Sequence, residues 1–172
     1  KSGARFDYEK AKWFNHEWIK KSGVGRLKTE VRSLLTEKGI TGINDPVLEK
    51  VIALVKDRCT LLPDFVQQSA FFFQSPQQWD IDAVKPKWNE AKGLFFIELV
   101  RNYETSPVWD AQTLENNFKE IAAANDLKPG ELMLPFRIML VGGKFGPGVF
   151  EIGEILGKEE TVSRINKLLS VL

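Results

Sequence analysis

Apolar residues recur along this chain at three- and four-residue spacing, in runs several turns long that glycines, prolines and short polar stretches interrupt, which is the signature of amphipathic helices. Asp7 is placed to cap a first helix reaching about residue 20, with Tyr8, Ala11, Phe14 or Asn15 and Trp18 at helical spacing, before Ser22-Gly23-Val24-Gly25 ends it. A second helix is predicted over 27–38. Asn44-Asp45-Pro46 restarts the pattern with a cap and a first-turn proline, leading into the apolar face of Val47, Leu48, Val51, Ile52 and Val55. A further helix is expected over 61–73, bent near its start by Pro63. The stretch 74–86 then turns to Ser, Pro, Gln and Asp, the composition of a boundary.

Beyond it the pattern predicts helices over 87–101, 110–125 with Asp110 as cap, 129–140 opened by Pro129, 147–156 opened by Pro147, and 158–169. Phe95-Phe96-Ile97 and Ile138 to Val141 are the only strand-like runs, and both are short and lie inside helical periodicity. The expected fold is all-α, two small helical bundles in tandem: 1–22 as a connecting segment, 23–80 as a first subdomain and 81–172 as a second.

A chain of 172 residues with 43% apolar composition can bury a substantial core. No apolar run approaches the length of a membrane span, and the start lacks the apolar stretch of a secretory signal. The first residue is Lys1 rather than a methionine, so a piece of a larger protein is expected. One cysteine, Cys59, cannot close an internal disulfide and reads as a buried structural thiol in a reducing compartment. One histidine, His16, with no second histidine or cysteine cluster near it, reads as a surface or packing residue, and neither a zinc site nor a catalytic triad is supported. Paired carboxylates such as Asp80 with Asp82, or Glu159 with Glu160, read as solvated charge.

The net charge of +1 argues against coating nucleic acid by electrostatics alone. Its distribution is less even, because residues 1–38 carry ten Lys or Arg against five Asp or Glu. Lys10, Lys12, Lys20, Lys21, Arg26, Lys28 and Arg32 are therefore candidates for phosphate contact, or else form a solvated helix face. Most of the aromatic residues, Trp13, Phe14, Trp18 and Phe71 to Phe73 among them, are expected in the core by their helical spacing.

The stretch 134–165 joins two helical segments through a bend containing Gly142, Gly143, Lys144, Phe145, Gly146, Pro147 and Gly148. It is not a nucleotide-binding P-loop, since Ile138 and Phe145 stand where that pattern needs a glycine and a hydroxyl residue, and glycines 143, 146 and 148 lack the dinucleotide-binding spacing. On residue types alone the bend is a helix–helix corner, or it presents uncovered amides and a helix N-terminus beside Arg137, Lys144 and the apolar Phe145, Pro147 and Val149. Donors at the edge beside apolar faces are what a splayed-out RNA base needs.

Those same residues carry a resemblance. An Arg-x-x-Leu helix at Arg137, the glycine-rich turn, and Pro147-Gly148-Val149-Phe150-Glu151 leading into Leu156-Gly157-Lys158-Glu159 resemble the C-terminal signature of bacterial glutamyl-tRNA synthetases. The N-terminal run from Phe6 through Tyr8, Trp13, Phe14, Asn15, His16 and Trp18 resembles a second stretch of the same class I family, in the expected order. The resemblance covers the chain end to end, although 37–131 matches mainly by helical pattern.

It implies that Arg137, Pro147 and Val149 occupy anticodon-binding positions, with Gly146 where some relatives carry a hydroxyl, Lys144 supplying charge, and Arg58 as a second anticodon arginine suited to the acceptor edge of an unpaired cytosine. Asn15 would fasten the module to the preceding domain. The implied function is recognition of the tRNA(Glu) anticodon stem-loop by the C-terminal part of a cytoplasmic, monomeric enzyme that ligates glutamate to tRNA(Glu). The catalytic domain of the same chain would be its other partner. ATP and Mg belong to that parent enzyme, whose ATP-binding signatures are absent here, so no cofactor and no activity are expected of this stretch alone. The rival readings are a helical protein-interaction module, and the anticodon domain of another class I synthetase, such as a lysyl-type one.

Overall fold

A computed structural model describes residues 7–172, which leaves Phe6, at the head of the N-terminal motif, outside the described residues. The chain divides into two compact units, one ending at Gln74 and the other beginning at Ser75. Every regular element among the described residues is helical, and no helix there is long and apolar enough to cross a membrane.

In the first unit α1 (Tyr8–Lys21) is capped by Asp7, whose side chain accepts from the Lys10 N–H. It is followed by α2 (Val24–Glu37), α3 (Asp45–Val55), a single 3-10 turn Lys56–Arg58 and α4 (Asp64–Phe73). Asn44 caps α3 and Pro46 occupies its first turn, as the sequence pattern predicts. Helices α2, α3 and α4 pack on one another, burying Leu27, Val31, Leu35, Leu48, Val51, Ile52 and Phe65 completely. Helix α4 starts at Asp64, three residues later than expected, because Pro63 serves as its N-cap and Asp64 Oδ2 accepts the N–H groups of both Thr60 and Leu61 at 2.8 Å.

Helix α1 departs from expectation. Tyr8, Trp13, Phe14 and Trp18 are exposed, and Ile19 is the helix's one buried residue. Helical spacing says which residues share a face, not what covers it, and the first unit covers only the side that carries Ile19. Lys12 stands 4.7 Å from the Tyr8 ring and Arg26 lies 5.1 Å from that of Trp18, so two of the four exposed rings are partly clothed by cations.

The second unit opens with two 3-10 turns over 81–87 and continues with α5 (Glu90–Thr105), α6 (Ala111–Ala124), α7 (Pro129–Val141), α8 (Val149–Leu156) and α9 (Lys158–Leu169). Asn89 caps α5 and Asp110 caps α6. Phe95, Phe118, Phe136 and Phe150 meet in the core, with Phe118 edge-on to Phe95 and to Phe150 and stacked on Phe136 at 5.3 Å. Helices α7, α8 and α9 all pack together around this cluster, so both arms of the glycine bend are anchored in one core.

Asp110 accepts the Thr113 N–H at 2.7 Å, and this bond holds its carboxyl below the usual carboxylate range. A carboxyl depressed by folding stabilises above its unfolded pKa of about 4, and the contribution is lost as pH falls through the lower folded value. Asp110→Asn keeps a capping oxygen but removes the titration. It should flatten the acid limb of the stability curve with little change near neutrality, as followed by urea unfolding between about pH 7 and pH 3; an acid limb identical to the native one would contradict this.

Candidate functional site

Helix α7 ends at Gly142, which adopts φ 85°, a left-handed conformation that a side chain would strain. A Cβ there would also lie 2.6 Å from the Gln78 carbonyl oxygen, because the 76–80 segment is laid against the bend. The Asp80 N–H donates to the Gly142 carbonyl at 2.8 Å. The turn into α8 then runs through Gly146, at φ 96°, to Gly148, the N-cap of α8. Pro147 therefore stands before the cap rather than in the first helical turn, where it was expected.

Arg137 lies on α7, one turn before this bend. Its Nη1 is 3.1 Å from the Phe145 carbonyl oxygen, 3.2 Å from that of Gly146 and 2.6 Å from that of Pro147. One guanidinium nitrogen thus gathers three successive carbonyls. In a trans peptide the C=O of one residue and the N–H of the next point in opposite directions. Drawing the Phe145 and Pro147 oxygens onto Arg137 therefore turns the Gly146 and Gly148 N–H groups the other way. Neither of these amides, nor that of Val149 at the start of α8, donates to any acceptor among the described residues. The bend has an inner carbonyl rim and an outer amide rim, with the positive end of α8 behind the latter.

The other predicted residues divide. Lys144 is exposed and forms an ion pair with Asp80 at 3.5 Å, a contact between two solvated groups that costs little to exchange for a phosphate. Pro147 and Val149 are buried, so their side chains hold the bend to the core. Phe145 is half-buried, and its ring lies against Gly143, where its Cε1 would stand 2.7 Å from an added Cβ. Arg58 closes the 3-10 turn of the first unit; its side chain is exposed and makes no hydrogen bond or ion pair among the described residues.

Of the basic candidates in the N-terminal third, Lys28 and Arg32 are committed within the protein. Lys28 pairs with Asp45 at 2.9 Å and Glu49 at 2.8 Å, and Arg32 pairs with Asp45 and donates to the Ile43 carbonyl. Lys10, Lys20 and Arg26 have no carboxylate within ion-pair distance among the described residues. Cys59 is buried and burial pushes its thiol up to about 12, so it is an inert structural group.

Sequence reasoning missed three contributors to the bend. Asp80 fixes Gly142 and pairs with Lys144. Glu151, in the first turn of α8, places its carboxyl carbon 2.7 Å from where a Cβ of Gly148 would stand, so position 148 has no room for a side chain. Arg164, fully buried on α9, donates from Nη1 to the Leu140 carbonyl at 2.5 Å and so secures the turn of α7 that precedes the bend. Only the i,i+4 spacing of Glu160 and Arg164, which bond at 2.7 Å, left a sequence signal.

Residues 8–169 match a family model described as an anticodon binding domain. Over all 172 residues the chain is 38% identical to a glutamate–tRNA ligase of Flavobacterium johnsoniae and 36% identical to one of Porphyromonas gingivalis, covering 34% of each. A crystal structure of a glutamate tRNA ligase from Elizabethkingia meningosepticum, in complex with its amino acid, superposes over the whole chain with a TM-score of 0.90 at 34% identity, again across 34% of that protein. The glutamate-tRNA synthetase of Elizabethkingia anophelis gives a TM-score of 0.85 over 98% of this chain. The chain thus spans about a third of the length of the relatives it matches.

Proposed function

Because the chain belongs to the anticodon binding domain family, we propose that it recognises the anticodon stem-loop of a glutamate tRNA, serving a longer enzyme that joins glutamate to that tRNA. The observation that carries this reading is the pair of amides at Gly146 and Gly148, turned away from Arg137 by the carbonyls it collects, with the helix start at Val149 next to them. Pyrimidine bases present acceptor oxygens and, in cytosine, an acceptor ring nitrogen; outward N–H groups satisfy these edges when the bases are unstacked.

Arg58 brings a fork of donors suited to the O2 and N3 edge of the cytosine that closes the glutamate anticodon. Lys144 and the unpaired Lys10 and Lys20 supply phosphate contacts that set register without reading sequence. Functionally, residues 1–22 connect and touch the stem, and 23–80 and 81–172 are each an anticodon-binding subdomain. Energy from cognate bases is used to position the distant acceptor end, so correct anticodons raise turnover rather than binding alone.

In the longer enzyme, the catalytic domain of the same chain is the second partner, and the exposed Tyr8, Trp13 and Phe14 on α1, with Asn15 beside them, are the surface offered to it. ATP and magnesium serve that domain, and the enzyme acts as a cytoplasmic monomer.

The test is titration of a glutamate-anticodon stem-loop against this chain at low salt. Affinity should fall as salt rises, because phosphate contacts release counterions, and should fall again when any anticodon base is changed while the stem is kept. Equal affinity for loops with altered anticodons would remove the reading.

A further inference from the structure

His16, on α1, is half-buried, and its Nδ1 stands 2.8 Å from the carbonyl oxygen of Cys59. A carbonyl oxygen only accepts, so the ring nitrogen facing it carries a proton and donates. Cys59 is the C-cap of the 3-10 turn Lys56–Arg58. The bond therefore ties α1 to the Cys59–Thr60 peptide, the second peptide after Arg58.

Everything else around that turn holds its backbone and leaves the arginine side chain alone. The Cys59 thiol, fully buried, lies 3.5 Å from the Val55 carbonyl, and Lys56 Nζ reaches back to the Lys20 carbonyl at 3.2 Å. On the far side Asp64 Oδ2 takes the amides of Thr60 and Leu61. Arg58 itself has no partner among the described residues, and a long unpaired side chain gains no direction from contacts it does not make. Its aim is set by the backbone that carries it, and the bond from His16 holds that main chain one residue beyond the arginine.

We propose that His16 is a positioning residue for base discrimination: by bonding the Cys59 carbonyl it aims Arg58, and so sets selectivity for the last anticodon base. This rests on the reading of Arg58 given above. A histidine in this place acts through direction rather than charge, since Nδ1 donates whether or not Nε2 is also protonated.

The test uses this chain with two stem-loops, one carrying the glutamate anticodon and one with its last base changed, and reads the ratio of the two affinities. His16→Ala should lower that ratio at least about threefold, the scale of one hydrogen bond, with affinity for the altered loop nearly unchanged. His16→Asn, whose amide N–H can stand where Nδ1–H stood, should restore the ratio. In the native chain, nitrogen NMR should find the neutral ring as the Nδ1–H tautomer, a readout independent of whether the alanine variant folds. An unchanged ratio in His16→Ala beside a collapsed one in Arg58→Ala overturns the role of His16 and leaves Arg58 as reader, as does an Nε2–H tautomer. An unchanged ratio in Arg58→Ala overturns both.

Discussion

Replacing Arg164 with alanine should cost the second unit about 3–5 kcal/mol of folding stability. Its guanidinium is 1% exposed, yet it sits in a helical core among apolar residues. Burial lowers its pKa from the ordinary arginine range, and the Glu160 carboxylate opposes that shift. Arginine keeps its proton at neutral pH even so, and the cation is stabilised by the Glu160 contact at 2.7 Å and by the Leu140 carbonyl at 2.5 Å. Leu140 lies in the last turn of α7, where carbonyls lack helical partners and a positive charge is favoured.

Alanine removes the donor, orphans that carbonyl and leaves a large void. Methionine refills the volume and leaves the Leu140 carbonyl and the Glu160 carboxylate without this donor, the latter exposed enough to be hydrated, so Arg164→Met should cost less, about 1–3 kcal/mol. Urea unfolding of the two variants would check the order. A loss below about 1 kcal/mol for alanine would mean that water reaches the site and that the pair is not structural.

Changing Arg137 to alanine should weaken binding of the glutamate-anticodon stem-loop by about 1–3 kcal/mol. The pattern of the loss matters as much as its size. An arginine touching one base would lose discrimination at that base alone. Arg137 gathers the carbonyls of Phe145, Gly146 and Pro147, so its removal frees a whole run of peptides to turn, and selectivity should erode at every base the bend reads. Lysine offers a point charge on a narrower reach and should recover only part of the affinity. Unchanged RNA affinity in a folded Arg137→Ala variant would contradict the account.

The helical architecture was legible because its signals are local. Asn44 before Asp45-Pro46, Asp110 before α6 and the run Lys158–Leu169 each declare an element through caps and period alone. Signals that depend on a distant partner were not legible. Helix α4 begins late because Asp64 takes two amides that a helix begun at Leu61 would have used differently. Lys28 and Arg32 looked available for phosphate until α3 brought Asp45 and Glu49 beside them.

The same limit shaped the reading of the site. Glycines, proline and lysine marked the bend, and the position of Arg137 one turn earlier placed a guanidinium near it. Which of its atoms faces which carbonyl follows from how α7 and α8 pack around Phe136 and Phe150, and no local pattern encodes that. Glu160 read as solvated charge because its partner Arg164 is buried by three other helices, α5, α7 and α8, that pack on α9. His16 read as a bystander because the carbonyl it bonds is 43 residues away.

The most direct test of the proposal follows the main-chain amides of Gly146 and Gly148 by NMR as a glutamate-anticodon stem-loop is titrated in. Both signals should move together, saturate with the affinity measured for the loop, and move much less when a loop of altered anticodon is used. If the loop binds while both amides stay where they were, RNA is held somewhere other than the outer rim of this bend, and the recognition mechanism built on Arg137 is wrong.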